Sequence, residues 1–264
     1  EAAKGIITKP GTRHICYCLT PTRYLWSSYK EYFKNSMTRR VAEPVVRYLR
    51  KWDKIAAQRP DVMVGISQEV VGRIKKYHNR EAELIYPPVK FSALPSTEGK
   101  TKGEYYRKAA RFSSEARGSY LVVSRLVPYK RVNLVIEVFN RLNKQLIIIG
   151  SGSEARRLKN LARGNIKFKG NVSDEDLVDY YAGCKALIFP QDEDFGIVAV
   201  EAQLFGKPVI AYKKGGALET VIKNKTGIFF DKRTPESLEG AIDEFEQMSL
   251  NPNDCIKNAQ KFSL

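Results

Sequence analysis

The chain has 264 residues, 43% of them hydrophobic and 28% charged. That balance excludes a disordered segment, which lacks the apolar material for a core, and no apolar run approaches the ~20 residues of a bilayer-spanning helix. Forty-five Lys and Arg against 29 Asp and Glu give a net charge of +16, which points to an anionic partner: nucleic acid, a phosphorylated small molecule or an acidic membrane surface. The excess is spread along the chain, with 17 basic and 8 acidic residues before Pro87 and 28 and 21 from there on. Cys16, Cys18, Cys184 and Cys255 form no CxxC pair, and only His14 and His78 could add nitrogen ligands. The expectation is reduced thiols in a cytosolic chain, without disulfides or structural zinc. The chain begins at Glu1 with no basic-then-apolar leader, and reads as a fragment of a longer protein.

In chain order, ICYCL within His14–Leu19 reads as a buried strand. Two aromatic and basic segments follow, Thr22–Phe33 and Arg40–Gln58. A short strand at Val62–Ile66 leads through Ser67, a candidate N-cap, into a helix over Glu69–His78. A strand at Ala82–Tyr86 ends at Pro87-Pro88, which neither a helix interior nor a central strand accommodates. That pair divides the chain into residues 1–86 and 87–264. Ser96–Gly118 is polar and basic and reads as a surface loop.

From Tyr120 the pattern is regular. Strands are expected at Tyr120–Ser124, Gln145–Ile149, Ile166–Lys169, Ala186–Phe189, Pro208–Ala211 and Gly227–Phe230. Helices are expected at Arg131–Leu142, Glu154–Ala162, Asp174–Ala182, Ile197–Phe205 and Leu218–Lys223. Short continuous runs of Val, Ile and Phe signal strands of a parallel sheet buried on both faces. The predicted class is therefore α/β, with a doubly wound Rossmann-like domain. No internal repeat or low-complexity tract is present.

In such a sheet the ligand lies beyond the carboxyl ends of the strands. There the sequence places Arg125 and Lys130, then Gly150-Ser151-Gly152-Ser153 before a helix, then Asn171-Val172-Ser173-Asp174. Tight glycines before a helix N-terminus present backbone N–H groups and a positive dipole end to an anion. GSGS is short of the full GxGxxG fingerprint, and no acidic residue follows to hold a nicotinamide ribose. Taken singly, Arg125 and Lys130 read equally as solvated cations, and Asp174 as a helix cap. Glu193 and Glu201 stand eight residues apart around Phe195-Gly196-Ile197-Val198, a helix start. Both carboxylates can accept from hydroxyls while free amides meet a phosphate; the other reading is an acidic cluster favoured by the helix dipole.

From Tyr120 to about Glu246 the chain resembles the nucleotide-sugar-binding domain of family 4 retaining glycosyltransferases, of GT-B architecture. The resemblance rests on VVSRLVPYKRVN, IIIGSGSE, FKGNVSDEDL and EDFGIVAVEAQLFGKPVIA, with its E-x7-E pattern. HICYCLTPTRYLW, RKWDKIAAQRPD and LIYPPV are similar to WbaZ-type mannosyltransferases, which build O-antigen and related polysaccharides. The resemblance implies a partial acceptor-side domain over 1–86 and a donor-binding domain over 87–264. It implies that Arg125 and Lys130 hold the donor diphosphate, Glu201 the ribose, and Glu193 the transferred sugar. Backbone amides of Phe195, Gly196, Ile197 and Val198 would contact sugar and phosphate, with Gly150 and Gly152 beside the donor and Val172 and Asp174 near the base. It further implies GDP-mannose as donor, a glycan or lipid-linked acceptor, front-face retention and no metal or other cofactor. Asp192-Glu193-Asp194 is a weaker D-x-D metal reading.

Two departures matter: against the family the chain reads as truncated at both ends, with the first domain starting midway and AQKFSL stopping before a helix that crosses back to it, and Leu19 stands where many relatives carry His. A chain lacking those parts is expected to bind donor with little turnover. Tyr24, Trp26, Tyr29, Tyr32 and Phe33 among Arg23, Lys30, Lys34, Arg39 and Arg40 suggest either domain packing or a peripheral contact with the inner face of an anionic membrane. The rival classes are a GT-B epimerase-like enzyme that does not transfer, and a basic nucleic-acid-binding protein.

Overall fold

The computed structural model describes residues 2–33, 35–89 and 116–263. The chain forms two compact units, Glu1–Pro87 and Pro88–Leu264. Of the surface loop expected at Ser96–Gly118, residues 96–115 lie outside the described residues.

The first unit is a three-stranded parallel sheet, β1 (Ile15–Cys18), β2 (Val62–Gly65) and β3 (Glu83–Leu84), in that spatial order. Ile15 pairs with Val62, and Val64 with Glu83. The one-turn helix α1 (Tyr29–Tyr32) and the long α2 (Ser36–Ala56) cross from β1 to β2, and α3 (Gln68–His78) from β2 to β3. As expected, Ser67 caps α3, its Oγ accepting from Val70 N–H at 3.1 Å. β1 is not the buried strand expected: Ile15 is 60% and Tyr17 43% exposed, and Leu19 beyond it 61%. Ile15, Tyr17 and Leu19 alternate along the chain, so one face of this edge strand is left uncovered among the described residues, and on the other only Cys18 reaches the core.

A buried ionic knot ties this unit together. Asp53 of α2 accepts from Trp26 Nε1 (2.8 Å) and Thr22 Oγ1 (3.4 Å), meets His78 Nε2 at 2.7 Å, and pairs with Lys4 Nζ at 2.6 Å. Burial alone would raise the Asp53 carboxyl, but the hydrogen bonds from His78, Lys4 and Trp26 hold it well below the usual carboxylate range. Trp26 also stacks on Tyr77 with centroids 5.1 Å apart, and Arg50 lies over both Trp26 and Tyr29. Part of the aromatic–basic segment thus packs inside its own unit. No helix of the described residues is long and apolar enough to cross a membrane.

The second unit is a six-stranded parallel sheet. Its strands are β4 (Tyr120–Val123), β5 (Leu146–Ile149), β6 (Ile166–Gly170), β7 (Ala186–Phe189), β8 (Val209–Tyr212) and β9 (Gly227–Phe230). The spatial order is β6-β5-β4-β7-β8-β9. Leu-Ile-Ile-Ile of β5 and Ala-Leu-Ile-Phe of β7 are buried at every position, as strands covered on both faces must be. The crossovers are α4 (Val132–Leu142), α5 (Ala155–Leu161), α6 (Asp174–Gly183), α7 (Ile197–Leu204) and the short α8 (Ala217–Thr220). The helix expected over Leu218–Lys223 is thus shorter and earlier; the chain turns away where Thr226 Oγ1 accepts from Ile222 N–H at 2.9 Å.

Two further helices close the unit, α9 (Pro235–Glu246) and α10 (Pro252–Ala259). Leu238, Ala241, Ile242 and Phe245 of α9 join Val135 and Phe139 of α4 in the main core. Glu246 at the end of α9 receives Lys185 (2.6 Å), Lys144 (2.9 Å) and the Tyr120 hydroxyl (2.6 Å), which together hold its carboxyl down to about 2. α10 is fastened to α7 through Asn258 Nδ2, donating to Gln203 Oε1 at 2.8 Å.

Candidate active site

The strand order reverses beside β4: the chain runs outward through β5 and β6, then returns to β7 and continues outward through β8 and β9. At such a switch point the loops on either side diverge and open a crevice at the carboxyl ends of the strands. Arg125 follows β4, Gly150 and Gly152 follow β5, and Glu193 lies between β7 and α7.

Close backbone packing sets these loops. Gly150 has φ +127°, and a Cβ there would collide with the Ser124 carbonyl oxygen; one on Gly152 would collide with that of Leu126. The absence of side chains lets the loops lace together: Leu126 N–H donates to Ser151 O at 2.8 Å, and Glu154 N–H to Leu126 O at 2.9 Å. Beyond Leu126 the helical turn Pro128–Lys130 carries Lys130 back towards β7, where its Nζ forms an ion pair with Glu193 Oε1. Arg125 takes a different course. It is exposed, and its Nη2 donates to the Tyr129 hydroxyl at 2.6 Å.

Glu193 is clamped from β8. Its carbonyl accepts from Gly216 N–H at 2.8 Å, and it bridges to Gly215 in parallel register. Any Cβ on Gly216 would run into the backbone of Phe195, so this approach is open only to glycine. Gly196 (φ +89°) then starts α7 with no side-chain cap on its first turn, leaving the dipole end to serve an anion. Ile197 and Val198 open the helix.

Glu201 lies in the second turn of α7. Its Oε2 accepts from the Tyr181 hydroxyl of α6 at 2.8 Å. Burial pushes the Glu201 carboxyl up; the Tyr181 bond opposes this, and the charge of Asp174 adds a smaller upward push. Asp174 thus stands within the field of Glu201. It is not the cap of α6: Ser173 is, with Oγ accepting from Asp176 N–H at 3.1 Å. Val172 precedes it, half-buried.

The structure therefore joins Lys130 to Glu193 and sets Asp174 near Glu201, while Arg125 pairs with neither glutamate. Asp192 of the D-x-D string is held by Lys214 Nζ at 2.9 Å, with Arg233 over the Tyr212 ring and 4.0 Å from the same carboxylate. Among the described residues no three His, Cys, Asp or Glu side chains gather as a metal site. Gly215 and Gly216 fall in KKGGALE, the loop that the sequence places after the strand at Pro208–Ala211, at the same crevice. Tyr181 and Arg233 escape sequence reasoning.

Comparison with known proteins gives this geometry a family. Residues 107–262 match the family Glycosyl transferases group 1. An uncharacterized glycosyltransferase of Methanocaldococcus jannaschii is 32% identical over 219 residues, 81% of this chain and 58% of that protein. A GDP-mannose-dependent alpha-(1-6)-phosphatidylinositol monomannoside mannosyltransferase of Mycobacterium tuberculosis is 30% identical over 152 residues, 51% of this chain and 40% of its own. The chain thus spans about half the length of these relatives. Among solved structures, Anabaena HepE in complex with UDP and glucose superposes with a TM-score of 0.69 at 19% identity, over 94% of this chain and 67% of that one. The fold is that of GT-B glycosyltransferases. Matched by the family over more than half its length, the chain belongs to the group 1 glycosyl transferases.

Proposed function

We propose that this protein transfers a hexose, mannose from GDP-mannose, to a glycan or lipid-linked acceptor in polysaccharide biosynthesis, retaining the anomeric configuration. One observation carries the reading. The loops that follow β4, β5 and β7 lie at the carboxyl ends of neighbouring strands and carry Lys130, the tight glycines and Glu193, with Lys130 paired to Glu193, the start of α7 free of a side-chain cap and Glu201 in its second turn. The choice of mannose is supported by likeness to the GDP-mannose-dependent mycobacterial relative; the UDP and glucose complex of HepE supports a UDP-sugar as the second reading.

In this reading Arg125 and Lys130 neutralise the charge that grows on the departing diphosphate, without a metal ion. Donor binding exchanges the Lys130–Glu193 pair: the ammonium turns to a phosphate oxygen and the carboxylate to a hydroxyl of the transferred sugar. Glu201 accepts from the ribose, and Val172 and Asp174 lie on the base side. Amides of Phe195, Gly196, Ile197 and Val198 meet sugar and phosphate, with Gly150 and Gly152 alongside. The bond from anomeric carbon to diphosphate breaks, the acceptor oxygen bonds to that carbon on the same face, and its proton passes to the leaving phosphate oxygen. Residues 1–86 are assigned to the acceptor side and 87–264 to the donor.

Calorimetry and thermal shift with ADP, GDP, UDP and GDP-mannose test the assignment. GDP is expected to bind tightest of the three diphosphates. Glu201→Gln should weaken bare GDP by about 10–100-fold, the worth of a charged hydrogen bond. Glu193→Gln should not weaken GDP, and should tighten it to the extent that Lys130 is freed for the phosphates, while losing the increment added by mannose. Tighter binding of UDP would replace mannose by the UDP-sugar reading, and equal loss of GDP in both variants would end the division of roles.

The protein is further proposed to work in the cytoplasm, against the inner face of an anionic membrane. α2 exposes Met37, Val41, Val45, Tyr48, Trp52 and Ile55 along one stripe, with exposed Arg40, Arg47 and Lys51 beside it. Its two carboxylates are already engaged, Glu43 by Arg47 at 3.1 Å and Asp53 by Lys4. An apolar stripe with a cationic flank suits an interfacial helix. An open depression of about 570 Å³ lined by Ser36, Arg39, Arg40, Glu43, Pro44 and Arg47 has three cations against one carboxylate, a balance that suits a head-group phosphate. Vesicle flotation should show binding to phosphatidylglycerol and not to phosphatidylcholine, lost at high salt. Equal recovery with both lipids would refute it.

A further inference from the structure

We propose that Tyr181 is a positioning residue for the donor's ribose: its buried hydroxyl fixes Oε2 of Glu201 and leaves Oε1 to take the ribose hydroxyls. The inference rests on the donor-site reading above and assigns a partner to one of its glutamates. Tyr181 is fully buried on α6, and its ring stacks on Phe205 with centroids 5.6 Å apart and 11° between planes. The ring cannot swing, so the hydroxyl that donates to Glu201 Oε2 at 2.8 Å is a fixed point. Oε1 of Glu201 receives no hydrogen bond among the described residues.

A glutamate on a helix has several rotamers, and a ribose that had to select one of them would bind more weakly. Anchoring one oxygen removes that cost before the nucleotide arrives. The chemistry of the pair agrees. Burial pushes the Tyr181 phenol well up, so it remains an O–H donor at neutral pH. The bond it gives also counters the upward push of burial on Glu201, and so favours the ionised carboxylate, the stronger acceptor for hydroxyls.

The test compares GDP with 2′,3′-dideoxy-GDP on the 264-residue chain, in the wild type, Tyr181→Phe, Glu201→Gln and Phe139→Leu. The wild type should prefer the ribonucleotide, and Glu201→Gln should abolish that preference. Tyr181→Phe should cut it by about 3–10-fold, the worth of one hydrogen bond, with dideoxy affinity unchanged. As pH falls, the preference should fade at a higher pH in Tyr181→Phe than in the wild type, because Glu201 has lost the bond that opposes its protonation. Phe139→Leu loosens the core of the same unit and leaves the Tyr181–Glu201 pair in place; it should lower the melting temperature and leave the preference intact. An unaltered preference in Tyr181→Phe overturns the proposal, and so does an equal loss in Tyr181→Phe and Phe139→Leu. A wild type that binds GDP without preferring ribose overturns it together with the role of Glu201. A wild type that binds no nucleoside diphosphate brings down the donor-site reading itself.

Discussion

Changing Asp53 to alanine is expected to cost the first unit about 3–5 kcal/mol, enough to unfold a marginal three-stranded domain. The carboxylate is buried and receives Lys4, His78, Trp26 and Thr22. Removing it leaves the Lys4 ammonium, itself 5% exposed, without its counter-charge. Asp53→Asn keeps the shape and should cost nearly as much, because the missing charge is what Lys4 requires. The linkage to pH has a definite sign. The folded pKa of Asp53 lies below its ordinary 3.8, so the stabilisation is complete above that value and is lost as acid protonates the folded carboxylate. Urea titrations followed by tryptophan fluorescence measure both effects. A midpoint for Asp53→Ala within experimental error of the wild type would show that the knot contributes nothing net.

Much of the fold is legible in the residues because a buried parallel strand has a simple signature. β5 and β7 are uninterrupted apolar runs, Leu-Ile-Ile-Ile and Ala-Leu-Ile-Phe, between polar residues and loops, and their ends fall within a residue of those expected. β1 has the same look but the opposite environment. ICYC is apolar enough for a strand covered on both faces, yet nothing in four residues tells an edge from a centre. α9 lies outside the helices expected from the pattern although its signal is present: Thr234 as cap, Pro235 in the first turn, and Leu238, Ala241, Ile242 and Phe245 at helical spacing. α10 offers less, since buried Cys255 and Asn258 make a weak apolar stripe.

The site divides along a similar line. Residues that sit just past strand ends, such as Arg125, Gly150 and Glu193, can be found by locating the strands. What holds them cannot. Tyr181 lies in an Asp-Tyr-Tyr-Ala run where only the packing of α6 on α7 decides which ring is buried and which carboxylate it meets. The clamp of Gly215 and Gly216 on Glu193 is likewise a property of two strands brought side by side, β7 and β8. The Lys130–Glu193 pair joins residues 63 positions apart in sequence through a turn that local pattern does not aim.

The two cations should differ measurably. Each charge-assisted contact to a phosphate is worth about 1.5–3 kcal/mol, or roughly 10–100-fold in affinity for a nucleoside diphosphate. Lys130, with 12% of its side chain exposed, works where water screens little, and Lys130→Ala should fall at the upper end of that range. Arg125 is exposed, so Arg125→Ala should fall at the lower end and lose most of its effect at high salt. If the two reach different phosphate oxygens, the double variant should lose the sum of the single effects. Lys130→Ala also strands the Glu193 carboxylate, so its melting temperature must be read beside its affinity. Glu193→Gln/Lys130→Ala removes that complication: an affinity for bare GDP restored to the wild-type value would mean that Lys130 acts only by neutralising Glu193. Unchanged diphosphate affinity in both single variants would remove the phosphates from this crevice. A strict need for a divalent ion, exposed by EDTA, would overturn the assignment of charge neutralisation to these side chains.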